Sequence, residues 1–209
     1  MDMAVPYASV IAPLHGRVLG VLAGTTRQLT GREVARLAET SQSAAQQVLH
    51  KLTEHGLLTE EEVGARAAYL YTLNREHLAV EPVLALLRLR SILFDRIRSE
   101  VEAWEVVPHH ASVFGSAARG DGDTESDIDV FVVRPAEVDE ENKQWRSQLD
   151  RLSERIGAWT GNHAGIATVS QRDVRRLTRE RPPIVRELET DAVVLLGPSI
   201  KDMFGRKGR

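Results

Sequence analysis

Two aspartates one residue apart, Asp127 and Asp129, stand at the start of the otherwise apolar run "DIDVFVV". On an extended segment side chains alternate, so both carboxylates point to one face while Ile128 and Val130 point to the other. Left alone, two such acids repel, and one would take up a proton. A hard divalent cation removes that penalty, and a small set of oxygen ligands suits Mg²⁺, which keeps several waters and is completed by substrate phosphates. Upstream, the apolar run "ASVF" ends at Gly115 and Ser116. A residue without a side chain lets the backbone approach a phosphate, and a serine at a helix start adds its hydroxyl and N–H. The chemistry implied is phosphoryl or nucleotidyl transfer. Asp127 and Asp129 are its candidate catalytic and metal-holding acids, and Gly115 and Ser116 its candidate nucleotide contacts. It is not a P-loop, because the lysine of that motif is absent.

These residues need a sheet to position them. "ASVFGS" reads as a short buried strand and "DIDVFVV" as another, with Asp121, Gly122 and Asp123 forming turns between them. An amphipathic helix then runs through Trp145, Leu149, Leu152, Ile156 and Trp159, a strand is expected over residues 163–170, and "AVVLLGP" is a last strand. No acid falls within 163–170; Asp173 beyond it reads as a helix cap and not as a third ligand. His109, His110 and His163 read as structural or solvated, the arginines of "RDVRRLTRER" mainly as a solvated face, and the tail "KDMFGRKGR" as mobile.

The first half is organised differently. "PLHGRVLGVLAG" carries Leu14, Val18, Leu19 and Leu22 on one helical face; Thr30 with Glu33 predicts the capped start of a second helix; Ser41 or Ser43 caps a third, with Ala44, Val48, Leu49 and Leu52 facing inward. "LLTEEEV" and "ARAAYLYTLN" make a hairpin around Gly64. Three short helices followed by a hairpin is the winged helix-turn-helix order, and "EVARLAETSQSAAQQVLHKLTEHGLL" resembles the winged-helix domains of prokaryotic transcription regulators over residues 10–76. The resemblance implies double-stranded DNA as partner, read in the major groove by Ser43, Gln46, Gln47, His50 and Lys51, with Arg66 near the hairpin tip on a phosphate. The charge balance opposes this: up to Glu81 there are seven Lys/Arg against nine Asp/Glu.

Residues 81–107 read as one connecting helix with Val83, Leu86, Leu87, Leu93, Ile97, Val101 and Trp104 on one side, a spacer and a candidate homodimer seam. A domain boundary is set near residue 80, giving domains 1–80 and 81–209. The chain has 209 residues, a net charge of −3 and no cysteine, which excludes disulfides and thiolate metal sites and fits a reducing compartment. The first residues lack a basic n-region, and Pro13, His15 and Arg17 interrupt the apolar stretches, so neither a signal peptide nor a membrane span is expected and the expected location is cytoplasmic.

"FGSAARGDGDTESDIDV" resembles the signature of the DNA polymerase β-like nucleotidyltransferases, in particular the minimal nucleotidyltransferases, over residues 84–198. The resemblance implies an α/β domain of mixed sheet flanked by helices, a nucleotide contact at Arg119, and transfer of NMP from an NTP, ATP in the first instance, to a hydroxyl of a protein, an RNA or a small molecule. It also implies a toxin–antitoxin setting. Members with full activity carry a third carboxylate on a later strand, and this chain has none there. The rival expectation is therefore a non-catalytic regulator that senses a nucleotide.

Overall fold

The computed structural model describes residues 1–63 and 68–205. The chain divides into two compact units, Val5–Leu89 and a second made of Met1–Ala4 with the chain from Arg90 onward.

In the first unit a 3₁₀ turn, Pro6–Ser9, precedes α1 (Pro13–Ala23), β1 (Leu29–Thr30), α2 (Gly31–Leu37), α3 (Gln42–Glu54), β2 (Leu58–Val63), β3 (Ala68–Leu73) and α4 (Val80–Leu87). The Thr30 hydroxyl accepts the Glu33 N–H at 3.2 Å while the Glu33 carboxylate accepts the Thr30 N–H at 2.9 Å, so a full capping box starts α2. Ser41, not Ser43, caps α3 by accepting the Ala44 N–H at 3.2 Å. That start phases Ala45, Val48, Leu49 and Leu52 inward at i, i+3, i+4 and i+7, so Ala45 takes the buried place that spacing alone gave to Ala44. The strands form an antiparallel sheet in the order β1-β3-β2. Its inner side, including Leu58, Tyr71 and Leu73, closes a core with Val18, Leu22, Val34 and Leu49.

The connector is two helices, not one. Arg88 ends α4, its N–H bonding the Ala85 carbonyl at 3.1 Å in a 3₁₀-type last turn, and α5 spans Leu89–Glu102. Val83, Leu84 and Leu87 of α4 pack into the core of the first unit, whereas Leu93, Ile97 and Val101 of α5 pack into that of the second. Each half of the apolar stripe serves its own core.

The second unit continues with β4 (His110–Phe114), α6 (Gly115–Arg119), β5 (Ile128–Arg134), α7 (Lys143–Thr160), β6 (Ala164–Ser170), α8 (Val174–Glu180), α9 (Pro183–Asp191), β7 (Val193–Leu196) and α10 (Ile200–Phe204). The sheet order is β6-β5-β4-β7; β5 and β6 are parallel, joined through α7, and the other pairs are antiparallel. Ile128, Val130 and Val132 point into one core with Ile97, Trp145, Leu152 and Ile156; Phe131 and Val133 point into another with Val185, Leu188 and Phe204. A strand covered on both faces needs a continuous apolar run, which is why "VFVV" does not alternate. Of the tail, residues 206–209 lie outside the described residues; before them Ser199 caps α10 by accepting the Asp202 N–H at 3.1 Å, and Phe204 is fully buried. Residues 201–204 are thus part of the core-forming helix and not mobile, because Ile200 and Phe204 fall on its inner side. Among the described residues no helix is long and apolar enough to cross a membrane.

Candidate active site

The strand β5 starts one residue after Asp127, so Asp127 is exposed at the strand mouth and Asp129 is half-buried in its second position. Register places Asp129 opposite Phe114 on β4 and opposite Gly165 on β6. A Cβ on Gly115 would stand 2.7 Å from Asp129 Oδ2, and one on Gly165 would stand 2.7 Å from Asp129 Oδ1. Both oxygens are therefore flanked by glycine backbone, and a side chain at either position would displace the carboxylate. Gly115 also has φ of +68°, the left-handed region that glycine tolerates, which turns the chain sharply from β4 into α6.

Of the neighbouring acids, Asp121 and Asp123 are already neutralised or bonded. Asp121 pairs with Arg119 Nε at 3.0 Å; Asp123 accepts the Ser126 hydroxyl at 2.8 Å and the Glu125 N–H at 3.0 Å, which fixes the loop and holds its carboxyl below the usual range. Asn162, buried, donates to the Ser126 carbonyl at 2.9 Å and ties the same loop to the end of α7. Among the described residues no hydrogen bond or ion pair is made by the side chain of Asp127 or Asp129. Burial first, then the charges of Asp127 and Glu187, push the Asp129 carboxyl up, against a smaller opposing effect of Arg119. Two adjacent, uncompensated oxygen donors are the kind of pair a hard cation satisfies. No set of three or more His, Asp or Glu side chains that could hold a metal gathers among the described residues.

Ser116 is half-buried, and a Cβ on Gly122 would meet its hydroxyl at 2.8 Å, so the loop lies directly over it. Arg119 is committed to carboxylates: besides Asp121 it holds Asp191 at 2.6 Å through Nη1. Asp191 also accepts the Gly115 N–H at 3.3 Å. Sequence spacing missed both Asp191 and Glu187, which lie one helical turn apart on α9; an i, i+4 acid pair on an amphipathic helix is the one signal they leave. Asp173 is removed from the site. It stands at the start of α8 without capping it, and its carboxylate accepts the Ser170 hydroxyl at 2.6 Å. Ser170 pairs with Arg134, so Asp173 lies at the far end of β5, roughly 17 Å along the strand from Asp129. His110 is a structural histidine: Nδ1 bonds the Pro198 carbonyl at 2.9 Å and Nε2 the Ser112 hydroxyl at 3.0 Å.

On the first unit, Ser43, Gln46, Gln47, His50 and Lys51 are all on the exposed side of α3. They are not equally available. The Gln46 amide donates to the Tyr71 hydroxyl at 2.9 Å, Ser43 bonds Ser41 at 3.2 Å, and His50 approaches Glu54 at 3.4 Å. Gln47 and Lys51, i and i+4 on one face, carry no such tie among the described residues. Arg66 lies outside the described residues. The outer strand β2 presents Glu60, Glu61 and Glu62 to solvent.

Comparison with known proteins bears on both units. Residues 94–181 match the family model described as a nucleotidyltransferase domain, and residues 11–67 match that of the MarR family. No curated protein matches the chain. Among solved structures, one described as "Crystal structure of the toxin-antitoxin with AMP-PNP" shares 16% identity, covering 53% of this chain and 80% of that one, with a TM-score of 0.35, a likeness too small to carry weight. By its two family matches, the chain joins a MarR-family winged helix over residues 11–67 to a nucleotidyltransferase domain over residues 94–181.

Proposed function

We propose that the second unit transfers a nucleoside monophosphate from an NTP, ATP in the first instance, to a hydroxyl, with Mg²⁺ on Asp127 and Asp129, and that the first unit binds double-stranded DNA. The observation that carries the enzymatic reading is the compensation pattern: Asp121, Asp123 and Asp191 are bonded, while Asp129, set against Gly115 and Gly165, and the exposed Asp127 beside it are left for a cation. A bound Mg²⁺ would supply charge neutralisation for the phosphates. The chain's own residues do the rest. Ser116 and Arg119 face the phosphates, Gly115 and Gly165 keep both oxygens of Asp129 uncovered, and the exposed Asp127 leaves the mouth of the strand open to a bulky acceptor. The resemblance to minimal nucleotidyltransferases adds a toxin–antitoxin pair as the setting to examine. Incubation with labelled NTP and Mg²⁺ tests the reading: covalent label on some acceptor, absent with Asp127→Ala/Asp129→Ala, is expected, and no label on any protein or RNA present would remove it.

The second reading is a nucleotide-sensing regulator. Two observations favour it: the β6 residue opposite Asp129 is Gly165 instead of an acid, and, within the second unit, residues 3, 4 and 90 lie against one loop, 120–122. The Met3 and Ala4 N–H groups donate to the Gly122 carbonyl at 2.7 and 3.1 Å, and the Arg90 guanidinium fills the place of a side chain at Gly120. Nucleotide binding without transfer decides for it. DNA binding is tested by gel shift on the upstream region of the chain's own gene at low salt, where Gln47→Ala/Lys51→Ala is expected to weaken the complex about tenfold or more.

A further inference from the structure

One side chain of α9 reaches the phosphate turn. Asp191, the last residue of that helix, has a side chain only 7% exposed. Its Oδ1 accepts the Gly115 N–H at 3.3 Å and its Oδ2 accepts Arg119 Nη1 at 2.6 Å. Those are the first and last residues of the five-residue α6, so a single carboxylate bridges the whole turn. A helix of this length does not hold its own shape, and its first residue, a glycine at φ of +68°, adds no steric restraint. Rigidity has to come from outside. It is available on α9, where Val185 and Leu188 are buried in the core with Phe131 and Phe204. Both oxygens of Asp191 are occupied and shielded from solvent, which sets it apart from Asp127 and Asp129 as a residue that holds protein groups instead of a cation.

We propose that Asp191 is a positioning residue for the nucleotide phosphates: it clamps Gly115 to Arg119, so that the Ser116 hydroxyl and the remaining guanidinium N–H groups of Arg119 meet the triphosphate beside Asp129. The proposal rests on the nucleotidyltransferase reading. Arg119 Nε is taken by Asp121 and Nη1 by Asp191, which leaves Nη2 without a partner among the described residues and aims the fork by two fixed points. The carboxylate charge matters as well as its shape, because a charge-assisted bond to guanidinium is the stronger of the two it makes.

The test is steady-state kinetics and ATP·Mg²⁺ titration on the full chain with Asp191→Asn, Arg119→Lys and the double variant. Asp191→Asn keeps the size of the side chain and removes its charge; it is expected to raise KM and Kd for ATP at least tenfold while kcat changes by less than threefold. A purely structural role would instead lower the folded fraction, and so kcat, with KM unmoved. The double variant is expected to be no worse than the poorer single one, because both changes break one clamp. If Asp191→Asn does not fold, Asp191→Glu, which keeps the charge and changes the reach to Gly115 and Arg119, carries the KM criterion. Unsubstituted protein that takes up no nucleotide overturns the enzymatic reading and the clamp together; uptake that Asp191→Asn leaves unchanged, or a double variant whose losses multiply, overturns the clamp alone.

Discussion

At the scale of single residues, the site around Asp129 is electrostatically expensive. Asp127, Glu187 and Asp191 all act on it against Arg119, and burial adds to the cost of its charge. Removing that charge relieves the fold and destroys the site. Asp129→Asn is therefore expected to raise the melting temperature of the metal-free protein by roughly a few degrees while abolishing transfer, and to cancel the stabilisation that Mg²⁺ gives the unsubstituted chain. Melting curves with and without Mg²⁺ check both halves; a variant that melts lower without metal contradicts the account of charge repulsion. His110 gives a separate pH signature. Burial pulls its imidazole down to about 4, so folding favours the neutral ring, whose Nδ1–H must face the Pro198 carbonyl. The folded form resists a proton that the unfolded form takes up near pH 6.5. The part of the stability that His110 contributes is expected to fall as pH drops from about 6.5 towards 4 and to change no further below. His110→Gln should flatten that limb in melting experiments at pH 7, 5 and 4.

At the scale of elements, local chemistry starts the helices and register finishes the site. Thr30→Ala removes one side of the capping box and is expected to cost about 1 kcal/mol, read by denaturant unfolding. Glu33, the other side, is held down to about 2 by its bonds to Thr30 and Arg27, so the support it gives is full above the normal carboxylate range and disappears as pH falls towards 2. Both residues were legible in the chain, since a capping box is a four-residue pattern. Ala45 was less so, because its place depends on which of two serines starts α3. The strand β6 illustrates the opposite case. Nothing in "HAGIATVS" marks Gly165 as part of the site, yet parallel pairing sets it beside Asp129. Gly165→Ala, mild for a strand by itself, is expected to leave the fold intact and to lower nucleotide transfer at least tenfold by pushing on Asp129 Oδ1; wild-type turnover in that variant would show that the carboxylate does not need the space.

At the scale of the whole molecule, charge and connectivity set what the two units can do together. The acid triplet Glu60, Glu61 and Glu62 leaves the first unit few phosphate contacts, so its DNA complex should be weak, change little with salt and depend on groove contacts from α3. Within the second unit, the Met3 and Ala4 N–H groups and the Arg90 guanidinium all lie against residues 120–122. Residues 4 and 90 adjoin in sequence the two connections to the first unit, so stiffening of that loop by a nucleotide is the one route from the second unit that chain connectivity offers. The expected outcome is a severalfold change in DNA affinity on adding ATP·Mg²⁺, measured by gel shift, with Asp127→Ala/Asp129→Ala unresponsive; an unmoved midpoint would leave the two activities thermodynamically independent.

The chain by itself determined the parts that depend on neighbours in sequence: the strand that carries Asp129, the small-residue turn at Gly115 and Ser116, the capped helices and the hairpin. Such features are set by backbone geometry over a few residues, so their spacing can be read directly. Tertiary structure alone decided that Gly165 faces Asp129, that Asp173 stands at the wrong end of the sheet, and that Asp191, 72 residues from Arg119, grips the phosphate turn. Strand register and helix docking are fixed by the total burial of the two cores, a quantity that no short spacing encodes.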